Sequence, residues 1–351
     1  MSMIARRFFI IPVALLVALA AGYSVLWVAA AHWTEDGFRN WARIQTERGT
    51  VVAHSALAIS GFPGPIELTI ASPSVVSPKG GWQWSAPRAV LETRPWAWWR
   101  YRLEVFGDQT LGLPFSGKLH RYTVHPAEAV VIGEIDSMGQ LSKGVLRSTD
   151  VSARNEVSAV LASARSVEIH LSRRTPGATT ENQTALDLTL QAESIEMGPM
   201  FETPLGKQIQ DIGLVAAVKG TLPQTFLREA IDAWRQSGGT VDLSHFRIDW
   251  GKLTLRGNGT VTVDDQFRPL GALTADIKGY GETLKALERA RVLRRRDVNG
   301  TRLALDLLSR QDEADNRRMV RIPITAQGGL LYLGPVRLLK LAPIPFPVRP
   351  D

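Results

Sequence analysis

Apolar and polar residues alternate along much of the chain, most clearly from Gly238 to Tyr280. Four short alternating runs in this stretch are separated by breaks that contain glycine or proline. Because side chains on a strand point to opposite faces in turn, each run places apolar residues on one face and charged or hydroxyl-bearing residues on the other. The pattern therefore predicts an antiparallel meander with one buried face and one solvated face.

Breaks in this alternation predict where the meander turns. The apolar positions change from even to odd numbers between Trp250 and Leu253, with Gly251 at the change. A slip of one residue would move a strand's side chains to the wrong face, so Gly251 is predicted to form a β-bulge or a tight turn. Further turns are predicted at residues 257–259 and 264–271, which contain Asn, Gly, Asp and Pro.

Strand-like patterns continue on both sides of this meander. They predict a mainly β (α+β) fold, in which a large curved antiparallel sheet has two β-rich halves, residues 50–165 and 166–350, and a few covering helices. One helix is predicted near residues 223–237, and the other near residues 281–312, with a break at Asn299-Gly300. In the first helix, apolar residues recur at helical spacing at Leu227, Ile231 and Trp234.

The N-terminal region predicts a membrane anchor. Residues 8–31 contain no charged residue, and this run exceeds the ~20 residues that cross a bilayer as a helix. Basic residues precede it and acidic residues follow it, so the positive-inside rule predicts that residues 1–7 are cytoplasmic. A cleaved signal peptide remains the alternative, although its apolar region is shorter, ~7–15 residues. Residues 34–48 predict a helical stalk, with Thr34 as its N-cap.

Composition excludes several classes of protein. The net charge of +7 is mild for 351 residues, and we find no helix-turn-helix spacing or RNA-binding signature, so no nucleic-acid partner is predicted. Cysteine is absent, which excludes disulfides, thiolate catalysis and cysteine-ligated metals. The six histidines are scattered; His120 and His125 would face opposite ways on one strand. We therefore predict neither a metal nor a cofactor.

Motifs that would indicate catalysis fail on inspection. Residues 112–118 have the glycine and lysine spacing of a phosphate-binding loop, but Leu119 replaces the Ser or Thr that would hold magnesium. Pro114 also interrupts the loop. Acidic neighbours at Asp264-Asp265 and at residues 312–315 fall in predicted turns, where solvated or structural roles are expected. The sequence therefore predicts no catalytic residues, and a protein that is not an enzyme.

Two groups of residues could contact a lipid or another amphiphile. The first consists of apolar residues on predicted strands: Trp82, Trp84, Trp250, Leu253, Leu255, Val261 and Val263. The second, the densest basic run, offers contacts for anionic headgroups: Arg289, Arg294, Arg295 and Arg296. Ordinary sheet core for the tryptophans, and a solvated helix face for the arginines, are the alternatives.

Several short motifs together resemble one bacterial family, labelled domain of unknown function 2125. They are Gly61-Phe62-Pro63, Trp82-x-Trp84, Trp234 followed by Gly238-Gly239, Asp249-Trp250-Gly251, Gly259 with Asp264, Pro269-x-Gly271 and Gly329-Leu-Leu-Tyr-Leu-Gly334-Pro335. The resemblance implies a single-pass anchor in the bacterial inner membrane and a periplasmic domain. The anchor and meander also resemble, more weakly, the AsmA-like proteins linked to envelope lipid homeostasis.

Two functions remain open at this stage. If the apolar sheet face is partly open, it binds lipid or another amphiphile; if helices fill it, the protein is a structural or interaction component of an envelope complex. In the second case we expect the helix around Leu227, Ile231 and Trp234 to cover the meander.

Overall fold

The protein is described by a computed structural model that covers residues 3–77, 81–115, 118–136, 140–157, 159–174, 183–201, 203–221, 228–312, 316–334 and 336–344. Within these residues, 21 strands form one antiparallel sheet, accompanied by four helices. The predicted mainly β fold is confirmed.

The helices and strands follow one another in three groups. The N-terminal group contains α1 (Met3–Glu47), β1 (Val51–Ala53), β2 (Ala56–Ser60), β3 (Ile66–Ala71), β4 (Ser74–Ser77), β5 (Trp82–Ser85), β6 (Arg88–Thr93), β7 (Arg100–Phe106), β8 (Gln109–Phe115), β9 (Lys118–His125) and β10 (Glu128–Ile135). The long strands are β11 (Leu141–Asn155), β12 (Val160–Arg173), β13 (Thr184–Met197) and β14 (Gln208–Lys219). The C-terminal group contains α2 (Arg228–Gln236), β15 (Thr240–Trp250), β16 (Leu253–Val263), β17 (Pro269–Lys278), α3 (Tyr280–Arg289), α4 (Arg295–Leu308), β18 (Arg310–Gln311), β19 (Arg318–Gln327), β20 (Leu330–Leu333) and β21 (Val336–Lys340).

The sheet forks at β11. The first part of β11 pairs with β10, which leads through β7, β6 and β3 to β2. The last part of β11 pairs instead with β9, which leads through β8, β5 and β4 to β1. Asp150 lies between the two pairings with a φ of 44°, a left-handed conformation that Asp tolerates better than most residues. We call these two branches the arms.

Beyond the fork the sheet is a simple succession of neighbours. β11 through β17 pair in chain order, and β19, β20 and β21 continue the sheet, with β18 beside β19. The predicted division between residues 165 and 166 falls inside β12, which pairs with β11 and with β13 on both sides of that point. Both pairings are interrupted at Arg165, opposite Asp150 and Ser194, which have φ values of 44° and 50°.

Register separates the sheet into an apolar face and a charged face. Directly paired residues share a face. One such row carries the apolar side chains Leu103, Val131, Leu146, Ile169, Leu190, Leu214 and Phe246. The adjacent row, on the opposite face, carries mostly charged residues: Arg147, Glu168, Gln191, Gly213, Arg247, Arg256, Asp276 and Arg321.

Clusters of buried residues cover the two ends of the apolar face. Between the arms, Leu68, Ile70 and Val105 pack with Trp84 of the other arm and with Phe38 of α1. At the C-terminal end, α3 and α4 cover the sheet with Tyr280, Leu284, Val298 and Leu305, which pack against Phe246, Ala275, Ile277, Val320, Ile322 and Leu333. A small third cluster joins Trp27, Ala30 and Ala31 of α1 to Ile66.

Three local predictions need correction. α1 is one uninterrupted helix, and the Thr34 hydroxyl donates to the Ala30 carbonyl inside it, so the predicted N-cap is wrong. Residues 257–259 lie within β16 and pair with β17, where a Cβ on Gly257 or Gly259 would lie 2.1 or 2.2 Å from a backbone carbonyl oxygen, so the predicted turn is wrong. The predicted helix near 281–312 is interrupted at residues 290–294, where Arg291 has a φ of 58°, and α4 continues through Asn299-Gly300.

The tight turn at Gly251 is confirmed. Gly251 and Lys252 connect β15 and β16, and Trp250 pairs directly with Leu253, so both side chains share a face. Gly251 has a φ of 60°, and a Cβ on it would lie 2.7 Å from the Leu205 carbonyl oxygen. A residue with a side chain would be strained here on both counts.

Candidate functional site

Over β11, β12 and β13, the apolar face carries mostly partly exposed side chains, with Ser148 and Ala192 buried among them. We call this region the open apolar face; its side chains are Leu146, Val167, Ile169, Leu171, Leu186, Leu188 and Leu190, all partly exposed. Register aligns them across the three strands. In the part of the chain that the structure describes, none of the three clusters of buried apolar residues includes a residue of these strands. An apolar surface of this kind favours contact with an apolar ligand.

Local sequence explains why these strands form and face this way. β12 contains Val167, Ile169 and Leu171, and β13 contains Leu186, Leu188 and Leu190, each separated by one polar or charged residue. This period of two fits a strand with one apolar face. Both strands are 14 residues long, which corresponds to about 46 Å at ~3.3 Å per residue. The residues of the open apolar face occupy only positions 167–171 of β12 and 186–190 of β13, which corresponds to about 13 Å along each strand.

The predicted contact residues of the meander lie on the same face but are largely covered. Leu253 and Leu255 pack against the cluster formed by α3 and α4, and Val263 is buried. Trp250 is partly exposed, and its indole nitrogen donates to the Gly206 carbonyl at 2.7 Å. Val261 is also partly exposed. The structure thus brings these five residues to one face, most of it filled by the protein itself.

The helix expected to cover the meander lies elsewhere. Leu227 falls outside the described residues. Trp234 of α2 donates from its indole nitrogen to the Lys219 carbonyl at 2.8 Å, and its ring lies against Gly239. α2 therefore packs at the junction of β14 and β15. The cover predicted from the Leu227, Ile231 and Trp234 periodicity is instead supplied by α3 and α4.

Trp82 and Trp84 belong to a different part of the molecule. Both lie on β5 in the second arm, away from the meander. Trp84 packs against the cluster between the arms and donates to Gln109 Oε1 at 3.0 Å, whereas Trp82 is 37% exposed. The structure does not bring them to Trp250. Trp84 thus packs against the sheet core, and amphiphile contact by Trp82 and Trp84 stays a prediction.

The basic run occupies the corner between α3 and α4. Arg289, Arg294 and Arg295 are exposed, and the nearest carboxylate oxygen of Glu288 is 3.9 Å from Arg295 Nε. The side chain of Arg296 lies outside the described residues. This exposure fits both a solvated corner and headgroup contact, so the second stays a prediction.

Ion pairs order the charged face. Arg147 Nε lies 2.9 Å from Glu168 Oε1, Arg247 Nε lies 3.1 Å from Asp211 Oδ2, and Arg321 makes two hydrogen bonds to Asp276 at 2.6 and 2.7 Å. The hydrogen bond from Arg147 lowers the pKa of Glu168, and the one from Arg321 lowers the pKa of Asp276. Exposed pairs of this kind contribute ~0–1 kcal/mol each, which is typical of a solvated surface.

A polar cavity of about 690 Å³ lies beside the turn that connects β15 and β16. Its lining includes the basic residues Lys252, Arg302, Arg317 and Arg318 and the acidic residues Glu282 and Asp306. Asp306 accepts a hydrogen bond from the Tyr280 hydroxyl at 2.8 Å. The excess of basic groups favours anions electrostatically. Sequence reasoning missed this cavity because its residues are scattered from 251 to 318.

The rejected catalytic motifs have structural roles. The 112–118 segment belongs to the β8–β9 hairpin, with residues 116–117 outside the described part. Asp264 accepts backbone hydrogen bonds from Gln266 and Arg268 and a further one from Arg268 Nε at 2.7 Å, which closes the turn between β16 and β17. Asp312 lies opposite Lys278, and residues 313–315 lie outside the described part.

Comparison with known families gives one match. Residues 27–342 match the family described as "uncharacterized protein conserved in bacteria" (DUF2125). The match begins near the end of the apolar run and extends through β21. No curated protein matches the chain. The likeness to AsmA-like proteins stays a prediction.

Proposed function

This chain belongs to the bacterial DUF2125 family, and from its geometry we propose that it is a membrane-anchored envelope protein that binds an amphiphile on its open apolar face. We place the anchor in the inner membrane and the sheet in the periplasm. An acyl chain along β11, β12 and β13 would cover the side chains that the protein leaves partly exposed.

One helix supports the anchoring. Residues Val13–Glu47 of α1 have a mean hydropathy of 2.2 in their most apolar window, only 11% of which is buried. α1 is long and apolar enough to cross a bilayer. Arg6 and Arg7 precede the apolar run, and Glu35 and Asp36 follow it, which favours a cytoplasmic N-terminus.

The observation that supports ligand binding is that the protein covers a continuous apolar face only at its two ends. The row from Leu103 to Phe246 is packed at both ends, by the arms and by α3 and α4, while Leu146, Ile169 and Leu190 between them are not part of either cluster. Burial of a methylene contributes about 0.8 kcal/mol, so about ten methylenes would contribute on the order of 8 kcal/mol before ordering costs. An acyl chain is thus a sufficient ligand for this surface.

Three matched aspartate substitutions test the proposal. Ile169→Asp places a charge on the open apolar face, Thr189→Asp places one on the charged face, and Leu255→Asp places one under α3 and α4. We expect the first two variants to fold, with bound lipid lost only from Ile169→Asp. We expect Leu255→Asp to unfold, because an unpaired buried charge costs several kcal/mol.

Native mass spectrometry and lipid extraction of the full-length proteins, with thermal melts, measure these outcomes. Lipid attached to the bilayer-spanning helix is common to all folded variants, so the Thr189→Asp protein is the reference. Equal lipid content in Ile169→Asp and Thr189→Asp, with both folded, would contradict ligand binding on the open apolar face. It would favour the alternative, a structural component of an envelope complex.

Orientation has its own test. A reporter fused after Asp351 should be active only outside the cytoplasm, and replacement of Arg6 and Arg7 should weaken that preference. Cytoplasmic activity of the fusion with the native sequence would contradict the proposed compartment. We propose no catalytic role, since the acidic pair at Asp264-Asp265 is explained by the turn that Asp264 closes.

A further inference from the structure

Three tryptophans are exposed on one short loop between β6 and β7. Trp96 is 58% exposed, Trp98 63% and Trp99 41%. Trp27, Trp84, Trp234 and Trp250 each donate from the indole nitrogen to an acceptor within the protein. For the three loop tryptophans, the described part of the chain shows no such acceptor. Large exposed aromatic side chains that share a loop indicate a contact surface.

The loop is held in a defined conformation. The backbone N–H of Ala97 donates to the Arg94 carbonyl at 2.9 Å, and that of Arg100 donates to the Ala97 carbonyl at 2.9 Å. The hydroxyl of Thr93, which is buried, donates to the Arg100 carbonyl at 2.9 Å. The Trp99 carbonyl accepts the N–H of Ile135, also at 2.9 Å. The indole rings are therefore presented by an ordered double turn.

Register places this loop beside the point where α1 meets the sheet. The Tyr23 hydroxyl donates to the Pro63 carbonyl at 2.5 Å, and Trp27 Nε1 donates to the Gly64 carbonyl at 2.8 Å, so α1 holds the turn at residues 61–65. β3 starts directly after this turn, and its first residue, Ile66, pairs with Thr93, the last residue of β6. The loop thus starts one strand spacing, ~5 Å, from the turn.

The length of α1 places the turn at residues 61–65, and the loop beside it, at the membrane surface. From Phe8 to Trp27, α1 contains 20 residues, which corresponds to about 30 Å, the thickness of a bilayer's hydrocarbon core. Beyond Trp27, α1 runs along the sheet, where Phe38 packs against the cluster between the arms. Phe62, in the turn, is 54% exposed. The turn and the loop therefore lie at the end of the sheet from which the apolar part of α1 projects.

We propose that the turn at residues 61–65 and the loop at residues 94–99 form a second membrane contact, in which Phe62, Trp96, Trp98 and Trp99 enter the lipid interface beside α1. Indole rings prefer this boundary between hydrocarbon and water. The contact would fix the tilt of the sheet relative to the bilayer. It rests on the proposed membrane anchoring and does not depend on amphiphile binding by the open apolar face.

Single cysteines test this contact, since the native chain contains none. Ala97→Cys lies within the loop, and the control Ala127→Cys lies at the exposed opposite end of β10. Each full-length protein is labelled with a polarity-sensitive fluorophore and reconstituted into vesicles of zwitterionic and anionic phospholipids that include spin-labelled lipids. We expect blue-shifted emission and several-fold stronger quenching for the label in Ala97→Cys than for the label in Ala127→Cys. Adding Trp96→Ser and Trp98→Ser should remove most of that difference.

An alkaline wash of the vesicles distinguishes failure of the membrane anchor from failure of the second contact. If the protein stays with the vesicles but the label in the loop is quenched no more than the control label, the second contact is overturned while the anchor stands. Strong quenching of the loop label that survives the tryptophan replacements overturns the role of the indoles. If the wash removes the protein, both the anchor and the second contact are overturned.

Discussion

Single glycines decide how closely the strands of the meander can pack. A Cβ on Gly257 would lie 2.1 Å from the Thr274 carbonyl oxygen and 2.8 Å from the Phe246 ring. Phe246 is buried, so its ring has little room to move away. Gly213, also within a strand, would place a Cβ 3.9 Å from its nearest neighbour, Arg247 Cβ, an ordinary contact distance. The sequence predicts a turn at residues 257–259, and it contains no sign that Gly257 occupies a crowded strand position whereas Gly213 does not.

This difference predicts opposite results for two identical substitutions. Gly257→Ala should destabilise the protein by about 1–3 kcal/mol, because overpacking forces the Phe246 ring or the backbone to shift. Gly213→Ala should leave stability unchanged or slightly raised, since Ala loses less backbone entropy on folding than Gly. Thermal or denaturant melts of the full-length variants in detergent measure both. Equal stability of the two variants would contradict the packing of Phe246 over Gly257.

At the scale of elements, alternation predicts strands well but does not reveal what covers them. The even and odd positions of β12, β13 and β15–β17 sort correctly onto two faces. The same pattern is compatible with an open face over Ile169 and a filled one over Leu255. The cover depends on where α3 and α4 return to the sheet, and the turn between them contains the left-handed residue Arg291, which carries no turn signature of its own.

At the scale of the whole molecule, the fork at β11 could not be predicted from the sequence. Two arms that share one strand require pairing between residues far apart in the chain, whereas local patterns report only faces and turns. The fork creates the packed region between the arms, and α3 and α4 create the other. The open apolar face is the part of the sheet between these two packed regions. It is therefore defined only by the complete sheet and not by any local sequence pattern.

Direct mapping of a bound lipid tests this account most closely. The full-length protein is reconstituted with a phospholipid that carries a photoreactive group on its acyl chain, irradiated and digested, and the modified peptides are identified by mass spectrometry. We predict adducts on β12 (Val160–Arg173) and β13 (Thr184–Met197) in addition to α1, and loss of the strand adducts alone in Ile169→Asp. Adducts confined to α1 and the loop at residues 94–99, with β12 and β13 unmodified, would contradict it.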